Sequence, residues 1–119
     1  MNAPSLKEKT NLFRLLALSQ KAGLGIRDSL VSLRKTEHAP GVLYILNDLI
    51  DQLNQGVTFS LSLRHHMYAF HEAEIALIAS AETIGNLPEV LQEISDELEN
   101  DQKINAKVKK ASTYPAVLL

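Results

Sequence analysis

Apolar residues return along this chain at intervals of three and four, the spacing that stacks side chains on one face of a helix. From about Leu6 to Ala22 the residues Leu12, Phe13, Leu15, Leu16 and Leu18 form a broad stripe, and Gly23 and Gly25 stop it. A second stripe, Ile26, Leu30, Val31 and Leu33, runs to Lys35 before His38-Ala39-Pro40-Gly41 breaks it. The third is the clearest. Val42, Leu43, Ile45, Leu46, Leu49, Ile50 and Leu53 line one face, Asn47, Asp48, Asp51, Gln52 and Asn54 take the other, and Gly56 ends the helix. Thr58 or Ser60 is placed to cap a short fourth helix carrying Leu61 and Leu63, whose exit is Arg64-His65-His66. A fifth helix is expected from near Phe70 to Ile84. Its Ile75-Ala76-Leu77-Ile78-Ala79 run is apolar nearly all round, which predicts the central, most buried helix.

The fifth and sixth helices meet at an elbow, Ile84-Gly85-Asn86-Leu87-Pro88-Glu89. Gly85 follows the apolar run and can take the left-handed conformation that closes a helix. Asn86 is then expected to cap the next helix with its side-chain oxygen, Pro88 loses little in a first turn whose amides lack partners, and Glu89 completes a box-like arrangement. Leu87, Val90, Leu91, Ile94 and Leu98 supply the core stripe of the sixth helix. Beyond Leu98 the pattern thins to Ile104 and Val108, so the distal half is expected to project. No strand alternation competes anywhere. The expected fold is all-α, a compact bundle of about six helices, with Met1–Ser5 as a frayed lead and one domain over residues 6–110.

Residues 111–119 depart from that pattern. Ala111-Ser112-Thr113-Tyr114-Pro115-Ala116-Val117-Leu118-Leu119 turns apolar directly after a cluster of lysines. A spanning helix needs about twenty apolar residues, so this stretch reads as the start of one. Lys103, Lys107, Lys109 and Lys110 would form its cytoplasmic flank and Tyr114 its interfacial aromatic, with Pro115 beside it. The alternative is a frayed helix end.

Composition supports helix: only five Gly and four Pro interrupt the 119 residues. The absence of Cys removes disulfides, thiolate metal sites and cysteine nucleophiles together. The formal net charge of -2 hides an uneven distribution. Between His65 and Gln102 there is no Lys or Arg, while Glu72, Glu74, Glu82, Glu89, Glu93, Asp96 and Glu97 all fall there. Such a field suits a basic partner and disfavours nucleic acid. Met1 to Thr10 lacks the apolar core of a signal peptide, which predicts a cytoplasmic N-terminus.

Candidate chemistry is sparse. His65, His66 and His71 lack a zinc-binding spacing, and neighbouring histidines on a helix point to different faces, so solvated or capping roles are expected. His71 and Glu74 share a face, but two ligands alone hold a transition metal weakly. Glu82 and Glu89 flank the elbow, and two readings stay open. Either Glu89 caps and Glu82 is a surface charge, or the pair forms a Ca²⁺ or partner site. No other cofactor is expected, and no enzyme.

Four patches, in order, resemble the type II secretion F domain, found in inner-membrane platform proteins of type II secretion and type IV pilus systems. The first is Phe13-Arg14-Leu15-Leu16-Ala17-Leu18-Ser19-Gln20-Lys21-Ala22-Gly23-Leu24, similar to the family's opening helix and its Ala-Gly turn. Gly56-Val57-Thr58-Phe59-Ser60-Leu61-Ser62-Leu63 is similar to a Gly-x-Ser-Leu-Ser-x-Ala-Leu pattern. The elbow resembles Gly-Glu-x-Ser-Gly-Asn-Leu followed by an acidic residue and Val-Leu. Tyr114-Pro115-Ala116-Val117-Leu118-Leu119 resembles the approach to the family's first membrane helix. Departures include Gly25-Ile26 for Pro-Leu, Ala81 for the glycine before the elbow glutamate, Thr58-Phe59 for Ser-Leu, and Ser62 for Ala. The short lead before Phe13 resembles the type IVb pilus branch.

The resemblance implies a cytoplasmic domain on the inner membrane, standing between a secretion or pilus ATPase and the pilin or pseudopilin that is moved. It would work by contact. Implied partners are that ATPase, other inner-membrane assembly proteins, the pilin or pseudopilin, and the membrane through downstream helices, with a homodimer as a further option. Partner surfaces are expected on Glu72, Glu74, Glu82, Glu89, Glu93, Asp96 and Glu97, and turns at Gly23, Gly56, Gly85, Asn86 and Pro88. A freestanding helical adaptor, its tail packed on its own bundle, is the competing reading.

Overall fold

Among the described residues, six α-helices and one 3-10 turn follow one another with short connections: α1 (Leu6–Lys21), α2 (Ile26–Thr36), α3 (Pro40–Asn54), α4 (Phe59–Leu63), the 3-10 turn (Arg64–His66), α5 (Glu72–Ile84) and α6 (Leu87–Leu118). The computed structural model describes the backbone of residues 3–118 and the side chains of residues 3–107. The fold is all-α, as the periodicity predicts. The tail of residues 111–119 and the side chains of Lys109, Lys110, Tyr114 and Pro115 lie outside what is described for side chains.

Three of the helices end in one way. Gly23, Gly56 and Gly85 have φ of 98, 87 and 89°, and after each glycine the next amide folds back onto a carbonyl five residues earlier. Those bonds are Leu24 to Ser19 at 3.1 Å, Val57 to Gln52 at 3.0 Å and Asn86 to Ala81 at 3.2 Å. This geometry overturns the cap expected of Asn86. Its amide is already taken by Ala81, so Glu89 has no cap amide to hold, and the Asn86 Oδ1 atom is buried without a hydrogen-bond partner. Two other helix starts do carry side-chain caps. Ser5, assigned to the lead by sequence, anchors α1 by accepting from Glu8 N at 3.1 Å while Glu8 accepts from Ser5 N at 2.9 Å. Thr58 caps α4.

α1 and α6 run antiparallel along each other, tied at the edges by Lys21 Nζ to Gln92 at 2.9 Å and Arg14 to Glu99 at 3.9 Å. Between them and α3 lies the core. It holds Leu12, Phe13 and Leu16 of α1, Val42, Ile45, Leu46 and Leu49 of α3, and Leu91 and Ile94 of α6. Phe13 meets Phe70 edge to face at a centroid distance of 5.8 Å.

The most buried helix is not α5. That helix buries Ile75, Ile78 and Ala81 alone, and Leu77 and Ile84 stand 43% and 71% exposed. It also starts at Glu72, not at Phe70, which belongs to the turn before it. A run that is apolar all round fixes no orientation by itself. Here α5 packs on α4 and α6 with one face and leaves the other uncovered.

α5 is held to α1 by an ion pair inside the protein. Lys9 Nζ lies 2.8 Å from Glu74 Oε1, with side chains 8% and 12% exposed. The ammonium also sits 5.8 Å from the Phe70 ring centroid. Glu74 accepts from the His71 amide at 2.9 Å as well, which closes the first turn of α5.

Two expectations follow for stability. Gly85→Val places a β-branched residue at positive φ and should destabilise the domain by about 1 kcal/mol or more. Gly25→Ser, at an N-cap with φ of -68° and open space around it, should instead be neutral or stabilise by roughly a few tenths of a kcal/mol. Urea unfolding compares them, and an unchanged midpoint for Gly85→Val would remove the left-handed turn. Glu74→Gln leaves the Lys9 ammonium without its carboxylate and should cost about 3 kcal/mol. Adding Lys9→Met should recover most of that loss, and strict additivity in the cycle would mean that the two groups do not interact.

Candidate functional site

The acidic stretch between His65 and Gln102 is sorted by what each carboxylate touches. Glu72 is engaged by Arg64, whose NH1 and NH2 donate at 3.0 Å each to its two oxygens. Those hydrogen bonds, then the charge itself, hold the Glu72 carboxyl below its ordinary value and the guanidinium above its own. Glu82 reaches from α5 to the start of α4. It accepts from Ser60 N at 3.1 Å and from Ser60 Oγ at 2.5 Å, so a residue 22 positions away completes that helix start. Asp96 accepts from Gln92 Nε2 at 2.9 Å. Glu89 and Glu93 are exposed on α6.

Glu82 and Glu89 are therefore not alike. The first is committed to Ser60, the second faces solvent, and among the described residues no three His, Asp or Glu side chains gather to hold a metal ion. Glu82 is a long-range cap, not the surface charge expected as one of the two readings.

The histidines divide as well. His65 is exposed, its Nδ1 3.8 Å from Asp48 Oδ2. His66, for which a solvated or capping role was expected, is 2% exposed. Its Nε2 lies 2.6 Å from Asp48 Oδ2, so that nitrogen donates, and its Nδ1 lies 3.2 Å from the Tyr68 hydroxyl. Burial, and then the neighbouring Tyr44 and Asp48, pushes the Tyr68 hydroxyl above its usual range. The cluster ties α3 to the 3-10 turn. His71 and Glu74 do share a face, but Glu74 is occupied by Lys9 and by the His71 amide.

What the helices bring together is a groove. Between the start of α1, the exposed face of α5 and the middle of α6 lies a depression of about 380 Å³. Leu6, Ile94 and Leu98 form its apolar floor, Ala73 and Leu77 one wall, and Glu97, Asp101, Ile104 and Asn105 the other. The Lys9–Glu74 pair closes the bottom. α6 thus stays beside α1 beyond Leu98, as far as Asn105.

Of the partner residues named from sequence, Glu74 and Glu97 line this groove, while Glu72, Glu82 and Asp96 are engaged elsewhere. Leu77, Asp101 and Ile104 were missed. Leu77 was absorbed into an all-apolar run, and Ile104 and Asp101 lie where the stripe of α6 thins, so only the packing of α1 against α6 reveals them. Lys103 and Lys107 are exposed on the same helix. Such a groove can seat a side-chain ridge and select its charge.

A family model described as Type II secretion system (T2SS), protein F matches residues 12–119. Type II secretion system protein F of Vibrio cholerae serotype O1 is 29% identical over 106 residues, covering 89% of this chain and 26% of the relative. Type IV pilus assembly protein PilC of Myxococcus xanthus is 30% identical over 106 residues, covering 89% and 25%. A protein transport protein HofC homolog of Escherichia coli strain K12 is 30% identical over 104 residues, covering 87% and 26%. The chain spans about a quarter of the length of the curated relatives it matches. A match that takes in the core of α1, the left-handed elbow and the whole of α6 means that this chain belongs to the Type II secretion system protein F family.

Proposed function

We propose that the chain is a cytoplasmic domain of an inner-membrane assembly platform that serves type IV pilus biogenesis or type II secretion. It acts by contact, coupling a cytoplasmic ATPase to the movement of a pilin or pseudopilin, and does no chemistry of its own. The observation that carries this reading is the family match over residues 12–119, together with relatives named for protein secretion and for pilus assembly. The geometry is in keeping with it, since α1, α5 and α6 form a groove with an acidic wall.

Orientation follows from the last helix. No helix among the described residues is long and apolar enough to cross a membrane. Residues 111–119 begin a membrane helix in this reading, with Lys103, Lys107, Lys109 and Lys110 kept on the cytoplasmic side by the preference of inner-membrane proteins for internal positive charge. Tyr114 and Pro115 mark the interface. The elbow at Gly85 sets the direction in which α6 leaves the bundle.

Deletion of the complete gene should abolish surface pili or the secreted product, and a plasmid copy should restore it. In fractionated cells the gene product should sit in the inner membrane, with this domain cleaved by protease added to inverted vesicles and spared in intact spheroplasts. A gene product found wholly in the soluble fraction, or protected inside inverted vesicles, would sink the proposal.

A further inference from the structure

We propose that the groove between α5 and α6 docks a basic amphipathic helix of a partner protein. This deepens the contact reading above and rests on it. Apolar chemistry gives the first reason. Leu77 and Ile104 stand 43% and 49% exposed at the mouth of a depression floored by Ile94 and Leu98. Two helices side by side with an apolar trough between them take the ridge of a third, whose anchors recur at three- and four-residue intervals.

Charge gives the second reason and selects the occupant. Glu93, Glu97 and Asp101 stand at successive intervals of four, a row along the rim of α6, and all three are exposed. Like charges at that spacing repel and weaken the helix that carries them. None of the three has an ion-pair partner among the described residues. The nearby Lys9 does not offset them, because Glu74 already takes its charge at 2.8 Å. A lysine- or arginine-bearing helix would relieve the row while covering Leu77 and Ile104. An anionic lipid surface would be repelled by the same row.

The test uses the 119-residue chain and two labelled synthetic heptad peptides, one of Leu and Lys and one of Leu and Glu, followed by fluorescence anisotropy. The Leu–Lys peptide should bind saturably and the Leu–Glu peptide should not. Leu77→Ser with Ile104→Ser should weaken binding roughly tenfold or more, as should Glu97→Lys with Asp101→Lys, and the charge reversal should gain the Leu–Glu peptide. Leu18→Ser, at a side chain 63% exposed on α1, should change nothing. All substituted positions are exposed, and circular dichroism verifies each fold. If the serine pair fails to fold, the charge-reversal pair decides alone. Absence of saturable binding, an equal loss for Leu18→Ser, or a charge-reversed chain that still prefers the Leu–Lys peptide would overturn the proposal. So would a concentration-dependent dimer in sedimentation that Leu77→Ser with Ile104→Ser abolishes, since the face would then belong to a second copy. Loss of peptide binding with the gene-deletion phenotype intact would refute the groove and leave the platform reading standing.

Discussion

The contact between Lys9 and Glu74 is the constraint on which the arrangement of this bundle depends. Removing an ammonium and a carboxylate from water costs roughly several kcal/mol per ion, recovered only when geometry and further hydrogen bonds are good. Here a 2.8 Å pair, the Phe70 ring and the His71 amide supply those terms at one point. Because Glu74 serves both the first turn of α5 and the ammonium of α1, sliding or rotating either helix would lose several interactions together. That requirement fixes which face of α5 turns inward. The flank of α5 beside that pair, with Leu77 and Ile84, is left without cover by this chain.

Helix number, helix order and the turns at Gly23, Gly56 and Gly85 were legible in the residues, because glycine after an apolar stripe has a local physical meaning. Family membership was legible too, from four short patches in order, and the match over residues 12–119 agrees. Other features required the assembled fold. Asn86 looks like a cap because its side chain suits one, but the amide geometry of a left-handed glycine turn had already used the bond that would complete the box. His66 looks solvated beside His65 and Arg64, yet the 3-10 turn points it into the protein toward Asp48. Glu82 sits within a run of acidic positions that nothing local distinguishes. Its partner, Ser60, is 22 residues away.

Sequence alone presents the acidic residues of α5 and α6 as one field. The fold divides them into structural and available groups. Glu72, Glu74 and Glu82 each complete a contact between elements, whereas Glu93, Glu97 and Asp101 remain in a row beside exposed apolar side chains. Helix caps and buried pairs consume charge for stability, so what remains on α6 is better placed to recognise something else. The division separates residues whose loss removes a contact between elements from residues whose loss leaves those contacts in place.

The pairing of α1 with α6 also has a consequence for how the chain matures. Lys21 and Gln92 meet across a separation of 71 positions, which at ~5–20 residues per second of synthesis is about 4–14 s of translation. During that interval the apolar side of the first helix, Leu12, Phe13 and Leu16, has left the ribosome while the helix that covers it has not. Folding of this domain must therefore finish late, when its last helix emerges. Until then the first segment of the nascent chain stays sticky for several seconds, and completion of the bundle withdraws it.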